Sequence, residues 1–188
     1  MVRMPVEEGD AYCKPALDAL GSDDPAEAQV GEVEHWRGLL ESAGAHARTR
    51  PAPGEWSITE CLGHMVDSEL VNSVRYRMIL AEQEPVPLSS WDEQAWAARF
   101  DHSRDDPAVL LQILGALRRV NIALWRGTSA QDHARTGMDA ERGPQSFELL
   151  FRMQAGHGRI HRAQAEQALA AVRRARMLGL PMAPDRED

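Results

Sequence analysis

The sequence predicts an all-α protein, a four-helix bundle with an irregular aromatic crossover between its second and third helices. Three observations carry this expectation. Long stretches place apolar residues at spacings of three and four, the period of an amphipathic helix. Proline, glycine and capping residues fall at the ends of those stretches. No run shows the strict alternation of a half-buried strand.

The elements follow in order. Residues 1–24 have weak periodicity and read as an N-terminal extension with one short helix around Pro15 to Leu20. The bundle domain is expected over residues 25–178. Its first helix begins where Asp24 caps and Pro25 takes the first helical position, since proline has no N–H to leave unpaired there. Val33, Trp36, Leu40 and Ala43 then mark its apolar face. Ser57 with Glu60 three residues on makes a capping box that opens the second helix, roughly Ser57 to Glu82, and Pro85 and Pro87 end it. Pro85 to Arg104, with Trp91, Trp96 and Phe100, is the crossover. The third helix starts at Asp105 or Asp106 with Pro107 in its first turn, runs along Leu110, Leu114, Leu117, Asn121 and Leu124, and stops at Gly127. The fourth starts near Ser146 and persists past Arg174, before Gly179, Pro181 and Pro184 break residues 179–188 into a tail.

Composition narrows the function classes. The chain has 188 residues, 43% apolar and 27% charged, with 21 basic against 29 acidic side chains and a net charge of −8. At this length folding hides roughly 70% of the unfolded surface, so a core forms without a metal or disulfide staple and any metal is suspected of function. A negative chain without a basic cluster is a poor partner for phosphate backbones, so no nucleic acid is expected. Cys13 and Cys61 are too few for a disulfide framework. The first ten residues lack the order of a signal peptide, and no stretch approaches the run of about 18 apolar residues a membrane span needs. A cytoplasmic protein with no membrane partner is expected.

The fourth helix holds the most informative pattern. Phe147, Leu150, Gln154, His157, His161, Gln164 and Ala168 form one stripe whose apolar ends mark it as core-facing. Its two imidazoles therefore point into the bundle, one turn apart, the geometry by which a helix offers two nitrogens to one metal ion. The alternative is a buried pair satisfied by Gln154 and Gln164. His64, in the middle of the second helix on a mixed row with Glu60, Cys61, Asp67 and Ser68, supplies a third imidazole and leaves coordination positions open, the arrangement of a catalytic site. Asp67 or Glu60 is placed to orient His64 or to act as a base. Trp56, Trp91 and Trp96 are candidate pocket walls, with core packing as the alternative. Cys61 reads as a small buried hydrophobe. His35, His46, His102 and His133 read as surface residues. Gly156 and Gly158 bracket His157 at a cost of about 1 kcal/mol each relative to alanine, which local room for a ligand or a close helix approach explains.

The run Gly54-Glu55-Trp56-Ser57-Ile58, then His64, Asp67 and Glu69, and later His157 and His161, resembles the DinB-like superfamily over roughly Trp36 to Ala170. The middle, with Tyr76, Arg77, Pro85, Pro87, Trp91-Asp92-Glu93 and Trp96, looks especially like its YfiT-like branch of metal-dependent hydrolases. The glycines around His157 and the N-terminal extension depart from that pattern. The resemblance implies a four-helix bundle with a metal on His64, His157 and His161, bound zinc or nickel, and a homodimer. It also implies a small-molecule substrate, either hydrolysed or joined to a low-molecular-weight thiol. Two other functions remain open: a non-catalytic stress or binding protein stabilised by its metal, and a metal-free interaction module.

Overall fold

The computed structural model describes residues 13–180. The chain runs α1 (Lys14–Leu20), α2 (Pro25–Ala43), α3 (Ile58–Ala81), β1 (Val86–Leu88), α4 (Glu93–Phe100), α5 (Pro107–Gly127), α6 (Ala130–His133), β2 (Thr136–Asp139), β3 (Gly143–Ser146) and α7 (Phe147–Met177). The four long helices form the bundle, and each begins at the cap the sequence marks. Asp24 Oδ1 accepts the N–H groups of Ala26 and Glu27, both at 2.9 Å. Ser57 and Glu60 make the reciprocal capping box. Asp106 caps α5 through Ala108, and Ser146 caps α7 through Leu149. Each such cap stabilises its helix by about 1 kcal/mol.

The core is apolar at both ends of the bundle and polar between them. One cluster gathers Trp36, Ile58, Leu62, Met65, Leu114 and Leu169. The other gathers Tyr76, Ile79, Ile122, Phe147, Leu150 and Phe151. Between them α3 buries His64, Asp67, Ser68, Glu69 and Asn72, while α7 buries Gln154 and α5 buries Arg118 and Asn121. This polar layer is where the candidate site sits.

Three short strands depart from the all-helical reading of the chain. They form one sheet in the order β1-β2-β3, with β1 parallel to β2 and β2 antiparallel to β3. Strands of three or four residues are too short to display an alternating pattern, so the sequence gives no signal for them. Gly137 pairs with Val86 in the first ladder, and the Leu88 side chain fills the space its Cβ would take, 2.6 Å from that position. The crossover is also more regular than its sequence suggests, because Asp92 accepts the N–H of Ala95 and caps α4.

Helix α5 reaches a mean hydropathy of 1.4 over an 18-residue window and is long enough to cross a membrane by length and composition alone. In the sequence its apolar residues are interrupted, so no continuous run shows there. It packs against α2 and α3 as one helix of the bundle and buries Arg118 and Asn121.

The glycines beside His157 are explained by close approach. A Cβ on Gly156 would lie 1.7 Å from the carbonyl oxygen of Ala16, so α1 rests directly on the α7 backbone. A Cβ on Gly158 would lie 2.9 Å from Nη2 of Arg118. Gly156→Ala is expected to destabilise the fold by about 1–3 kcal/mol, the usual cost of overpacking, because backbone cannot swing aside as a side chain can. Urea unfolding checks this, with Gly38→Ala as the control, since nothing lies within 4 Å of a Cβ there.

Candidate metal centre

His64 comes from the middle of α3, and His157 and His161 from successive turns of α7. Their ring nitrogens converge: His64 Nε2 lies 3.3 Å from His157 Nε2, which lies 2.9 Å from His161 Nε2. One nitrogen from each ring falls within 4.8 Å of the others. Nitrogens bound to one ion at roughly 2.0–2.1 Å stand about 2.9–3.4 Å apart at octahedral to tetrahedral angles, so these spacings suit a shared cation.

The protons on these rings can be assigned from the buried network behind them. The Glu69 carboxylate can only accept, and it accepts from Asn121 Nδ2 at 2.8 Å, from Gln154 Nε2 at 3.0 Å and from Arg118 Nε at 3.4 Å. That fixes the Gln154 amide, whose Oε1 then accepts from Asn72 Nδ2 at 2.8 Å and from the Ser68 hydroxyl at 2.9 Å. Ser68 has spent its proton, so at 3.4 Å it accepts one from His157 Nδ1. His161 Nδ1 lies 2.9 Å from Gln164 Oε1, to which its Nδ1–H tautomer donates. In that tautomer Nε2 of both His157 and His161 is a bare lone pair, and the two face each other at 2.9 Å.

Burial keeps the rings neutral. It pushes His64 down to about 3, with further lowering from His161 and His102. It holds His157 well below the usual histidine value, with His161, His64 and Arg118 adding to the effect. It lowers His161 too, against the opposing hydrogen bond to Gln164 Oε1. Neutral imidazoles with aligned lone pairs are the protonation state that metal binding requires.

A cleft of about 670 Å³ opens on the cluster, lined by Glu55, Trp56, His64, Glu93, His157 and His161 among others. A smaller cavity of about 160 Å³ shares Glu93 and His157 with the cleft. Trp56 stacks on His161 with ring centres 6.0 Å apart, and Trp91 stacks on His64 at 5.7 Å. Trp96 packs edge-on against Trp91 and Phe100, one ring removed from the imidazoles.

The two carboxylates singled out from sequence lie elsewhere. Glu60 accepts from the Ser57 N–H and hydroxyl, both at 2.9 Å, and pairs with Arg50. Asp67 takes a hydrogen bond from His102 Nε2 at 2.9 Å. Neither lines the cleft. The spacing that put them near His64 along α3 also put them on flanks of the helix that meet the 44–50 segment and the residues after α4.

His102 had no signal marking it out, and it is no surface residue. Its side chain is 11% exposed and bridges Asp67 to Asp105, while its ring occupies the space over Gly63, where a Cβ would meet its Cγ at 2.2 Å. The bonds to Asp67 and then Asp105 raise its pKa to about 9 against partial burial. A histidine raised above its unfolded value of about 6.5 stabilises the fold fully below that pH and loses the effect as pH climbs through the folded value. The melting temperature is therefore expected to fall as pH rises from 6.5 through 9. His102→Gln is expected to flatten that window in a thermal-melt series. His133 also departs from the surface reading, stacking on Trp125 at 3.8 Å. Cys61 is fully buried as expected, and burial pushes its thiol up to about 12.

A bundle with this histidine cluster at its polar layer defines a recognisable class, and the model of the DinB superfamily matches residues 33–165. The chain belongs to the DinB superfamily. Among its relatives is a protein of Bacillus licheniformis, 30% identical over 120 residues that cover 57% of this chain and 68% of the relative. Another, from Oceanobacillus iheyensis, is 28% identical over 110 residues, 58% of this chain and 63% of the relative. Both carry the name "Putative metal-dependent hydrolase". The match thus spans just under two thirds of the Oceanobacillus protein's length. Among solved structures, YfiT from Bacillus subtilis, described as "a probable metal-dependent hydrolase with an unusual four-helix bundle topology", aligns with a TM-score of 0.67 at 20% identity over 95% of both chains. At that identity the likeness shows the fold.

Proposed function

We propose that this chain is a hydrolase of small molecules that works with a divalent metal ion, zinc or nickel, held by His64, His157 and His161. The observation that carries this reading is the pair of bare lone pairs held face to face at 2.9 Å on His157 and His161, with the third ring beside them. Buried lone pairs brought that close repel, and a cation turns the repulsion into binding. Three protein ligands beside an open cleft also suit a catalytic site better than a structural one, which four protein ligands usually close. Such an ion, when bound, lowers the pKa of water toward about 7 and polarises a carbonyl.

The chain's own residues do the remaining work. Ser68 and Gln164 hold the two α7 imidazoles with Nε2 free to bind. Trp56 and Trp91 flank the rings and limit water. Glu93, which lines both cavities with His157, takes the proton released by the attacking nucleophile. Glu60 and Asp67 keep α3 seated through their partners Arg50 and His102. Glu93→Gln is expected to lower kcat about 100-fold or more with a smaller change in KM, the range of lost general-base catalysis, as steady-state assays read.

Metal removal tests the reading. Chelator treatment is expected to abolish turnover of an ester and amide panel, zinc or nickel to restore it, and circular dichroism to show a bundle still folded. Unfolding on chelation with no turnover in any assay points instead to a metal-stabilised binding protein. Turnover only with an added low-molecular-weight thiol points to transfer.

A further inference from the structure

Two groups of the candidate site ride on α4 and the residues just before it. Trp91 stacks on His64 at 5.7 Å, and Glu93, in the first turn of α4, lines both cavities. Yet none of the eight residues of α4 is buried. A helix that short is marginal in water unless packing secures it. Trp96 packs against Trp91 at 5.7 Å and against Phe100 at 5.4 Å, so three rings join the beginning and end of this segment into one unit. Where that unit sits on the bundle is therefore decided at its ends.

Before α4, Arg75 Nη2 donates to the carbonyl oxygen of Ser89 at 2.7 Å. After α4, Asp101 takes the left-handed conformation, with φ +46°, and turns the chain back onto α3. The next residue, His102, sets its ring into the space over Gly63, the chain neighbour of His64. Its Nε2 donates to Asp67 of α3 at 2.9 Å, and its Nδ1 donates to Asp105 at 2.6 Å. Both ring nitrogens face carboxylates, which accept, so both carry protons and the ring is a cation between two anions. Other cations at this end hold less. Arg50 is engaged with Glu60 and stands 4.0 Å from Asp101, while Arg48 holds the carbonyl of Asp105, beyond the turn. We propose that His102 is a positioning residue: it pins the end of α4 to α3 and so holds Trp91 over His64 and Glu93 in the cleft wall. The consequence for Glu93 as proton acceptor rests on the hydrolase reading, whereas the pinning itself does not.

The test labels the full-length chain with 5-fluorotryptophan and compares ¹⁹F spectra of the parent, His102→Ala and His102→Gln, which keeps a donor for Asp67. Single Trp→Phe variants assign the five resonances. In His102→Ala the Trp91 and Trp96 resonances are expected to shift or broaden, while those of Trp36 and Trp125, which pack with the apolar clusters, stay in place. Hydrogen exchange of the amides of residues 96–100 is expected to quicken at least tenfold, with α5 unchanged. His102→Gln is expected to recover part of both effects. A folded His102→Ala chain whose Trp91 and Trp96 resonances and α4 exchange match the parent overturns the proposal. So does a change spread evenly over all five tryptophans, which marks a global structural role. If His102→Ala does not fold, His102→Gln decides by the same readouts: a change confined to Trp91, Trp96 and α4 supports the pinning, and no change or an even one overturns it. Turnover of the ester and amide panel separates the pinning from the hydrolase reading. A freed α4 with kcat at least tenfold lower supports both, and a freed α4 with kcat unchanged overturns the role of Glu93 alone. Metal-dependent turnover with α4 unmoved overturns the pinning alone.

Discussion

Replacing His157 by alanine is expected to abolish metal retention while leaving the bundle folded. His157 is the hub of the cluster: its Nε2 is the nitrogen close to both other rings, at 3.3 and 2.9 Å. It is also the ring whose proton is placed by the Glu69–Gln154–Ser68 chain. Losing a direct ligand is expected to weaken zinc binding by more than about 100-fold, beyond the 10–100-fold typical of an outer partner. Ser68→Ala, which removes the acceptor for His157 Nδ1 together with the hydroxyl donor to Gln154, is expected to fall inside that outer-partner range. Competition with a chromophoric chelator measures both variants, and far-UV circular dichroism shows whether the helices survive. The fold is expected to survive because the two apolar clusters on either side of the polar layer do not depend on the histidines.

The second large effect is on stability. Arg118→Ala is expected to cost about 3–5 kcal/mol, because it strips the Glu69 carboxylate, fully buried, of its guanidinium partner. For a chain of this size that corresponds to a fall in melting temperature of roughly 6–20 °C. Asn121 and Gln154 still donate to Glu69 in that variant, but neither carries charge. Combining Arg118→Met with Glu69→Leu is expected to recover much of the loss, since an apolar pair of similar volume leaves no buried charge alone. The same double variant frees the Gln154 amide to turn, so zinc affinity is expected to fall even where stability returns. Thermal melts paired with the chelator assay resolve the two effects.

The bundle was legible because its signals are local. Asp24-Pro25, Ser57 with Glu60, and Asp106-Pro107 act within one helical turn, and each sits at the helix start they imply. The histidine cluster was legible for a related reason: a core-facing stripe on one helix places His157 and His161 together, and the mixed row around His64 marks the facing wall. What the sequence hid depends on contacts between segments far apart in the chain. Ser68, Glu69 and Asn72 read as ordinary polar positions, and only the crossing of α3 with α7 joins them to Gln154, more than 80 residues on. The tie between His102 and Asp67 spans 35 residues and leaves no periodic trace. Gly156 was marked as odd by its cost within a helix, yet its reason, the carbonyl of Ala16, lies in a segment whose packing no pattern announced. Glu60 and Asp67 lie off the cleft because proximity along one helix does not bring a side chain to the open side of the imidazoles.

X-ray absorption at the metal edge of the untagged protein tests the central claim most directly. The account predicts one divalent ion per chain with three imidazole nitrogens at about 2.0–2.1 Å and at least one position left to solvent. A protein without stoichiometric metal after growth in metal-replete medium, or an ion whose nearest shell holds no imidazole, contradicts it.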